Sequence, residues 1–469
     1  MAANTPATGA PEKLRADDLA TPLGLDDAAP HFGWQLHDAR RGAKQSAYEL
    51  LVATKRELLV PGKADAWDSG RVDSDQSAGV VYKGSALSPS TRYYWRVLAW
   101  DREGKAYPAG ESWWETGLLK QENWRGKWIG YERWEESAVR KAGAVWVTTA
   151  DGAELKSVKT SEEHIAYRLP FDLKAPVKQA YLFVTGFDVA SAWVNGSEVT
   201  KGEPLPPWKQ FPWKKYKQID VTKQVRDGKN LLAVEITHYV VNPNGMASED
   251  TPPMSATLVV QHADGSVEHF ESGANGDWKA SIHPAGAWTS ATEADASWKP
   301  VIAFVASPGG DGPPGNPWPT QTVKALRGDF EVHKPIASAR LYATALGAYQ
   351  VFVNGRRAGD EVLSPGWTDY RLRLKYQTYD VTAELKQGHN ALAALVAPGW
   401  YASPLMWFQQ PNVFGAPAPS LMAQLHIQYR DGSEDWVVSD GHWKAEQSPI
   451  LKSEIYDGEQ QDARLAQAG

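Results

Sequence analysis

An all-β chain is predicted here, with one leading sandwich followed by two sandwiches that are copies of each other. Three observations predict it. The first is a passage written twice. It runs from Ala180 as AYLFVTGFDVASAWVNGSEV and then IDVTKQVRDGKNLLAVEITHYV, and again from Ala339 as ARLYATALGAYQVFVNGRRAG and then YDVTAELKQGHNALAALVAPGWY. The register continues downstream, where Asp264-Gly265-Ser266 and Trp278-Lys279 echo Asp431-Gly432-Ser433 and Trp443-Lys444. A pattern this long is a duplicated domain, because each copy can close its own core. The second observation is short apolar–polar alternation bounded by Gly, Pro, Asn and Asp, with hardly any helical periodicity. The third is 22 Trp against 11 Phe, a reversal of the usual order. Tryptophan fills sandwich cores and also stacks on flat, half-polar rings. Most of the 22 are assigned to cores, which leaves a handful for a ligand or an interface.

Taken in order, the first region spans residues 11–118. Tyr48 to Val52, Arg92 to Trp100 and Ser112 to Thr116 read as strands. Leu87-Ser88-Pro89-Ser90 is a proline turn, and behind it Tyr93, Trp95, Val97 and Ala99 alternate with outward residues. This resembles the tyrosine-corner strand of fibronectin type III sandwiches. A linker with Trp124 and Trp128 follows. The first repeat occupies 129–304, with strands at Ala180 to Thr185, Ala190 to Val194, Asn230 to Ile236 and Ala256 to His262. Residues 305–317, rich in Pro and Gly, form a connector. The second repeat occupies 318–455, with strands at Arg340 to Thr344, Tyr349 to Val353, Ala391 to Val396 and Met422 to Tyr429. Asn195-Gly196 and Asn354-Gly355 predict type I′ hairpins, and Asp264-Gly265 and Asp431-Gly432 predict two more. Repeats of this size and strand count suit two-sheet jelly rolls, which commonly bind carbohydrate through loops at one end.

Composition excludes several functions. At 469 residues the chain has room for three domains. Net charge is −7 with no basic block, so neither nucleic acid nor an anionic membrane is expected as a partner. No apolar run reaches the roughly 18 residues of a membrane span. The first residues, MAANTPATGAPEKL, lack the charged start and apolar core of a signal peptide and read as a flexible leader. The absence of cysteine removes thiol catalysis, thiolate metal sites and disulfides. HExxH, GxSxG and P-loop motifs are also absent.

The second repeat resembles the N-terminal domain of bacterial α-L-rhamnosidases, a family of inverting glycoside hydrolases. The residues that carry the resemblance are Val353-Asn354-Gly355, Gly359-Asp360, Leu363 to Tyr370 (LSPGWTDY), Tyr376 to Thr382 (YQTYDVT) and Gly399-Trp400-Tyr401. Ile455 to Glu459 (IYDGE) with Asp462-Ala463-Arg464 is similar to the family's connector, here 456–469, into its catalytic (α/α)6 barrel. The leading module with Thr91 to Val97 (TRYYWRV) matches the family's usual start. The resemblance implies galactose-binding-like jelly rolls in the non-catalytic, N-terminal region of a rhamnosidase. It also implies a rhamnose-containing glycan and the chain's own catalytic domain as partners, and a periplasmic or secreted location. The family's acid and base carboxylates lie in the barrel, so no catalytic residue is carried over. A stand-alone carbohydrate-binding protein and a structural interaction protein are the rival readings.

Candidate binding residues follow from these stretches. Asp360, Glu361, Trp367 and Asp369 follow the second Asn-Gly hairpin and combine acceptors with a stacking ring. Trp400 and Tyr401 offer a sugar platform or a packing patch. Some modules of the family resemble calcium-dependent rhamnose binders, and calcium takes six to eight oxygens. Calcium is therefore the candidate cation, with Asn242, Asn244 and Asp250 as its oxygen-rich stretch in the first repeat. There Lys201 replaces the second copy's acidic residue after the hairpin. Asp457 and Glu459 are two apart on one segment, but they are read as structural, since nothing beside them forms a pocket. Trp208, Trp213 and Tyr216 among Lys209, Lys214, Lys215 and Lys217 read as a solvated edge or a contact for an anionic sugar.

Overall fold

The computed structural model describes residues 9–143, 145–152, 162–186, 189–202, 216–239, 251–290, 297–305, 318, 322–405, 414, 418–456 and 458–466. Its regular structure is almost entirely antiparallel strand. The chain divides into two compact units. The first holds residues 1–130, 324–396 and 420–446, and the second holds 131–323, 397–419 and 447–469.

In the first unit, the leading sandwich sets a sheet ordered Pro11–Ala16, His31–Leu36, Val80–Val81 against one ordered Trp67–Asp68, Gln45–Ala53, Arg92–Asp101, Ala106–Pro108. Ser112–Glu115 also pairs with Arg92–Asp101. The predicted alternation holds, with Tyr93, Trp95, Val97 and Ala99 all buried. The hydroxyl of Tyr93 accepts from the Ser88 amide at 2.9 Å, closing the corner. Phe32 lies 4.6 Å from Trp95 and 5.3 Å from Trp114, centroid to centroid. Tryptophan here is core material.

The second repeat completes this unit. One sheet runs Gln377–Asp380, Ile336–Leu346, Ser420–Tyr429, Glu434–Val438, and Ile129–Gly130 adds a pairing to Ser420–Tyr429. The other runs Arg356–Arg357, Ala348–Val353, Gly388–Ala397, Lys324–Val332, Lys444–Gln447. The first repeat, in the second unit, shares this order and adds Val147–Thr148 with Ile302–Ala303 to one sheet and Lys299–Pro300 to the other. Its sheets run Lys217–Asp220, Val177–Gly186, Met254–His262 with Val267–Glu271, and Ser197–Thr200, Val189–Val194, Gly228–Tyr239, Glu162–Leu173, Lys279–Ser281.

The residues shared by the two copies turn out to be a hydrogen-bond lock. Asn195 and Asn354 adopt φ of 51° and 50°, followed by Gly196 and Gly355 at 82° and 81°, as type I′ turns require. The Nδ2 of Asn195 donates to Asn230 Oδ1 at 2.8 Å, and Asn354 does the same to Asn390 at 2.8 Å. Asn230 and Asn390 then donate to two carbonyls each, Arg226 and Gly228 or Lys386 and Gly388, at 2.7 and 2.8 Å. Thr222 and Thr382 accept from the amides of Ala180 and Ala339, both at 2.9 Å. Trp278 and Trp443 donate to the carbonyls of Glu271 and Val438, both at 3.0 Å.

Two expectations need correction. At Asp264-Gly265 and Asp431-Gly432 only the glycines are left-handed, with φ of 87° and 83°. These hairpins are therefore not type I′. Each aspartate keeps ordinary backbone and uses its carboxylate to accept from the serine two residues on, at 2.9 and 3.0 Å. A helix is also present, Trp134–Ala142, where helical periodicity was hard to see. Glu135 and Glu136 in its first turn and Arg140 and Lys141 in its last suit the helix dipole, and Gly143 ends it at φ 72°.

Candidate binding loop of the second repeat

Four of the predicted residues fall on one loop, which leaves the short strand Arg356–Arg357 and returns as Gln377–Asp380. Its base is anchored. The Ala358 amide donates to Val351 O at 2.9 Å, Tyr349 N to Ser364 O at 3.0 Å, and Thr344 Oγ1 to Lys375 O at 2.6 Å. Beneath it the buried Tyr349 hydroxyl meets Gln377 Oε1 at 2.6 Å and the Tyr379 hydroxyl at 3.2 Å, and burial pushes the Tyr349 phenol far above its ordinary range. Gly359 is left-handed, and a Cβ there would strike the Tyr379 ring and the Glu361 carboxylate.

Above this base the loop exposes an apolar tip. Trp367 is 51% exposed, Val362 77% and Leu372 85%, with Leu363 beside them. Asp360 and Glu361 are exposed at its edge. Asp369 is committed elsewhere: Arg371 grips its two oxygens at 2.9 and 2.8 Å, and that contact holds the carboxyl below the usual range. The loop thus presents a stacking ring, apolar neighbours and the exposed residues Asp360 and Glu361, with the Glu361 carboxylate lying against Gly359. An ionised Asp369 is the wrong form for a general acid.

Trp400 and Tyr401 belong to the second unit, in the four-residue helix Gly399–Ala402. Tyr401 is 3% exposed and serves packing, while Trp400 is half-buried. Asn242, Asn244 and Asp250 lie outside the described residues, as does Asp457. Glu459 sits exposed on the hairpin strand Gly458–Gln461. Of the basic-aromatic stretch, Tyr216 packs on Trp318 and Phe183, and Lys217 Nζ donates to Thr200 Oγ1 at 2.8 Å. The other five members lie outside the described residues.

Among the described residues, Asp360, Glu361 and Asp369 do not converge as metal donors. Asp17, Asp27 and His31 of the leading sandwich do, with donor atoms within 4.8 Å of one another. No sequence motif singled them out, although Asp17-Asp18, Asp26-Asp27 and His31 stand close in the chain. In the structure His31 Nδ1 meets Asp17 at 3.3 Å and Asp27 at 3.8 Å, which reads as a surface ion cluster. A cavity of about 270 Å³ in the same sandwich is lined by Asp38, Lys44, Asp75, Trp100 and Asp101, among others. Its charges pair with one another or with Arg40.

Comparison with known proteins matches this arrangement. A family model described as the alpha-L-rhamnosidase N-terminal domain fits twice, over residues 175–303 and 334–469. One described as a Rha78A-like, N-terminal immunoglobulin domain fits residues 11–120. A curated alpha-L-rhamnosidase of Streptomyces avermitilis is 38% identical over 452 residues, covering 96% of this chain and 42% of the relative. Another, from Formosa agariphila, is 24% identical over 456 residues, covering 96% of this chain and 30% of the relative. The crystal structure of the Streptomyces avermitilis alpha-L-rhamnosidase complexed with L-rhamnose superposes with a TM-score of 0.69 at 34% identity, over 98% of this chain and 43% of that one. Native Aspergillus terreus α-L-rhamnosidase shares the fold, with a TM-score of 0.51 at 21% identity over 98% of this chain and 32% of that one. This chain spans less than half the length of each.

Proposed function

This chain belongs to the alpha-L-rhamnosidase N-terminal domain family, and on that premise we propose that it is the carbohydrate-binding and scaffolding region of an α-L-rhamnosidase that releases terminal α-L-rhamnose. The observation that carries the reading is collinear similarity over 96% of the chain to a protein of that name. The division of labour is supported by the loop's chemistry. Inverting hydrolysis needs a protonated acid and an ionised base roughly 6.5–9.5 Å apart around a water. The loop of the second repeat instead offers Trp367 for stacking, with Asp360 and Glu361 as acceptors for sugar hydroxyls. Asp369, held by Arg371, shapes the loop.

Calorimetric titration of the chain with L-rhamnose tests the binding half. Heat that falls clearly in Trp367→Ala, and less in Asp360→Ala, is the expected result. An arm with calcium reports on Asn242, Asn244 and Asp250. No heat at millimolar sugar defeats the binding role. A chromogenic α-L-rhamnoside tests the other half: it should stay intact with this chain alone, and turnover defeats the accessory reading.

A further inference from the structure

The two repeats differ in the residues on the outer face of one sheet. In the first repeat, Ile165, Tyr167 and Leu169, then Val234 and Ile236, then Ala192 and Val194 point into the core. Strand alternation therefore turns His164, Ala166 and Arg168, then Ala233, Glu235 and Thr237, then Ser191 and Trp193 outward. The register sets Trp193 opposite Ala233 and Ser191 opposite Glu235. Trp288 meets Trp193 edge-on at 5.4 Å and Trp298 at 6.0 Å, and Arg168 caps the Trp298 ring at 5.3 Å. Trp298 is buried, as are Ala166, Arg168, Ala233 and Thr237 of this face, whereas Ser191, Trp193, Glu235 and Trp288 are half-buried and His164 is exposed.

A polar strip runs beside this aromatic wall. His164 Nδ1 lies 3.6 Å from Glu235 and 3.4 Å from Thr237 Oγ1, and Ser191 Oγ accepts from the Gly202 amide at 2.9 Å. Trp193 and Glu235 are diagonal neighbours on one face, roughly 7–8 Å apart, a span that suits one pyranose ring. The second repeat lacks the strip. Through the shared register Glu235 corresponds to Leu395, His164 to Val323 and Trp193 to Phe352, and the Trp288–Trp298 pair has no counterpart in the duplicated passages.

We propose that this outer face is a second saccharide site, on which Trp193 and Trp288 stack against a neutral pyranose while Glu235 and Ser191 bind its hydroxyls. The inference rests on the carbohydrate-binding reading above. Aromatic rings cover the C–H face of a sugar, and a carboxylate accepts two neighbouring hydroxyls. The site belongs to another repeat than the Trp367 loop.

The test titrates the full chain with methyl α-L-rhamnopyranoside and with methyl α-D-glucopyranoside, followed by ligand-observed NMR and tryptophan fluorescence. Glu235→Leu installs the second repeat's residue, and Glu235→Gln removes only the charge. Both are surface changes, and circular dichroism checks the fold. The expected result is binding of at least one pyranoside that persists in Trp367→Ala and weakens about tenfold or more in Glu235→Leu and in Trp288→Ala. Binding abolished by Trp367→Ala and untouched by the Glu235 variants overturns this inference and leaves the earlier reading standing. Binding of neither pyranoside overturns both.

Discussion

In the first repeat Tyr181 and Val259 face each other across two strands on the outer side of their sheet; in the second the same two positions are Arg340 and His426. The neighbours differ accordingly. Tyr181, Phe183 and Val259 are covered by Ala138 and Val139 of the helix Trp134–Ala142 and by Trp318. Arg340 is covered by the leading sandwich, where it grips Glu115 at 2.5 and 2.7 Å while Arg92 holds the same carboxylate at 2.6 Å. Two residues along the same strand, Thr257 accepts from Trp318 Nε1 at 3.2 Å, and its counterpart Gln424 accepts from the Arg125 amide at 2.6 Å. Inner faces and turns are inherited almost unchanged, whereas outer faces follow whatever covers them. A function confined to one copy is therefore to be sought on outer faces and loops, away from the repeated motif.

The sharpest way to break this comparison is to cut the ionic cover. Arg340 and Glu115 are both buried, so Arg340→Ala leaves a buried carboxylate with only Arg92 and costs about 3–5 kcal/mol. The double variant Arg340→Met, Glu115→Leu recovers most of that loss, because an apolar seam of similar volume serves as well, as it does around Tyr181. Denaturant unfolding of the first unit measures both. A loss under about 1 kcal/mol for Arg340→Ala means that the seam is not held by this pair.

Next in size is the inherited lock. Asn390→Ala removes an amide that bridges Asn354 to two turn carbonyls, and Asn230→Ala does the same in the first repeat. Each leaves buried polar groups unmatched, at a cost of about 1–3 kcal/mol. Hydrogen exchange on Gly228–Tyr239 and Gly388–Ala397 reads the two copies separately. Equal losses support inheritance, and a lock that matters in only one copy contradicts it.

A smaller difference is set by pH. His426 is buried, with Ser90 Oγ at 2.7 Å on Nδ1 and Glu434 at 2.8 Å on Nε2, and its ring stacks on Trp436 at 4.2 Å. Burial lowers its pKa, against the opposing pull of Glu434, with Arg125 and Arg340 adding to the fall. A histidine depressed in the fold is held neutral. Its contribution is intact above the unfolded value near 6.5 and is lost as pH falls through the lower folded value. The first unit should therefore lose stability on acidification below about pH 6.5 more steeply in the parent chain than in His426→Gln. Val259 fills this place in the first repeat and has nothing to titrate. Identical pH profiles for parent and variant refute the assignment.

What was legible in the sequence follows the same divide. The hairpins at Asn195 and Asn354 and the alternation from Tyr93 to Ala99 could be read locally, because a turn or a strand face is specified within a few residues. The helix Trp134–Ala142 carries only end signals in the sequence: acids in its first turn, bases in its last and Gly143 behind it. At nine residues it is too short for periodicity to stand out. The seam was not legible, since Glu115 and Arg340 are 225 positions apart and nothing local marks them as partners. On the candidate loop the exposure of Trp367 fits its selection as a stacking ring. Asp369 was chosen for its carboxylate, yet Asp369-Tyr370-Arg371 already places a cation two residues away.

That pair gives the smallest effect expected. Asp369 and Arg371 are both at the surface, and water screens their attraction, so Arg371→Ala should leave the unfolding transition of the first unit where it is. The change is local and electrostatic. Without the guanidinium, the Asp369 carboxyl should titrate higher, back toward the ordinary range, in a carbon-detected NMR titration. The released carboxylate then stands beside Trp367 as a third acceptor, and affinity for a sugar held by this loop should rise slightly. If Arg371→Ala instead unfolds the first unit, the loop is structural in the way the asparagine locks are. The contrast between inherited frame and adaptable surface then fails at the place where the sequence first located a site.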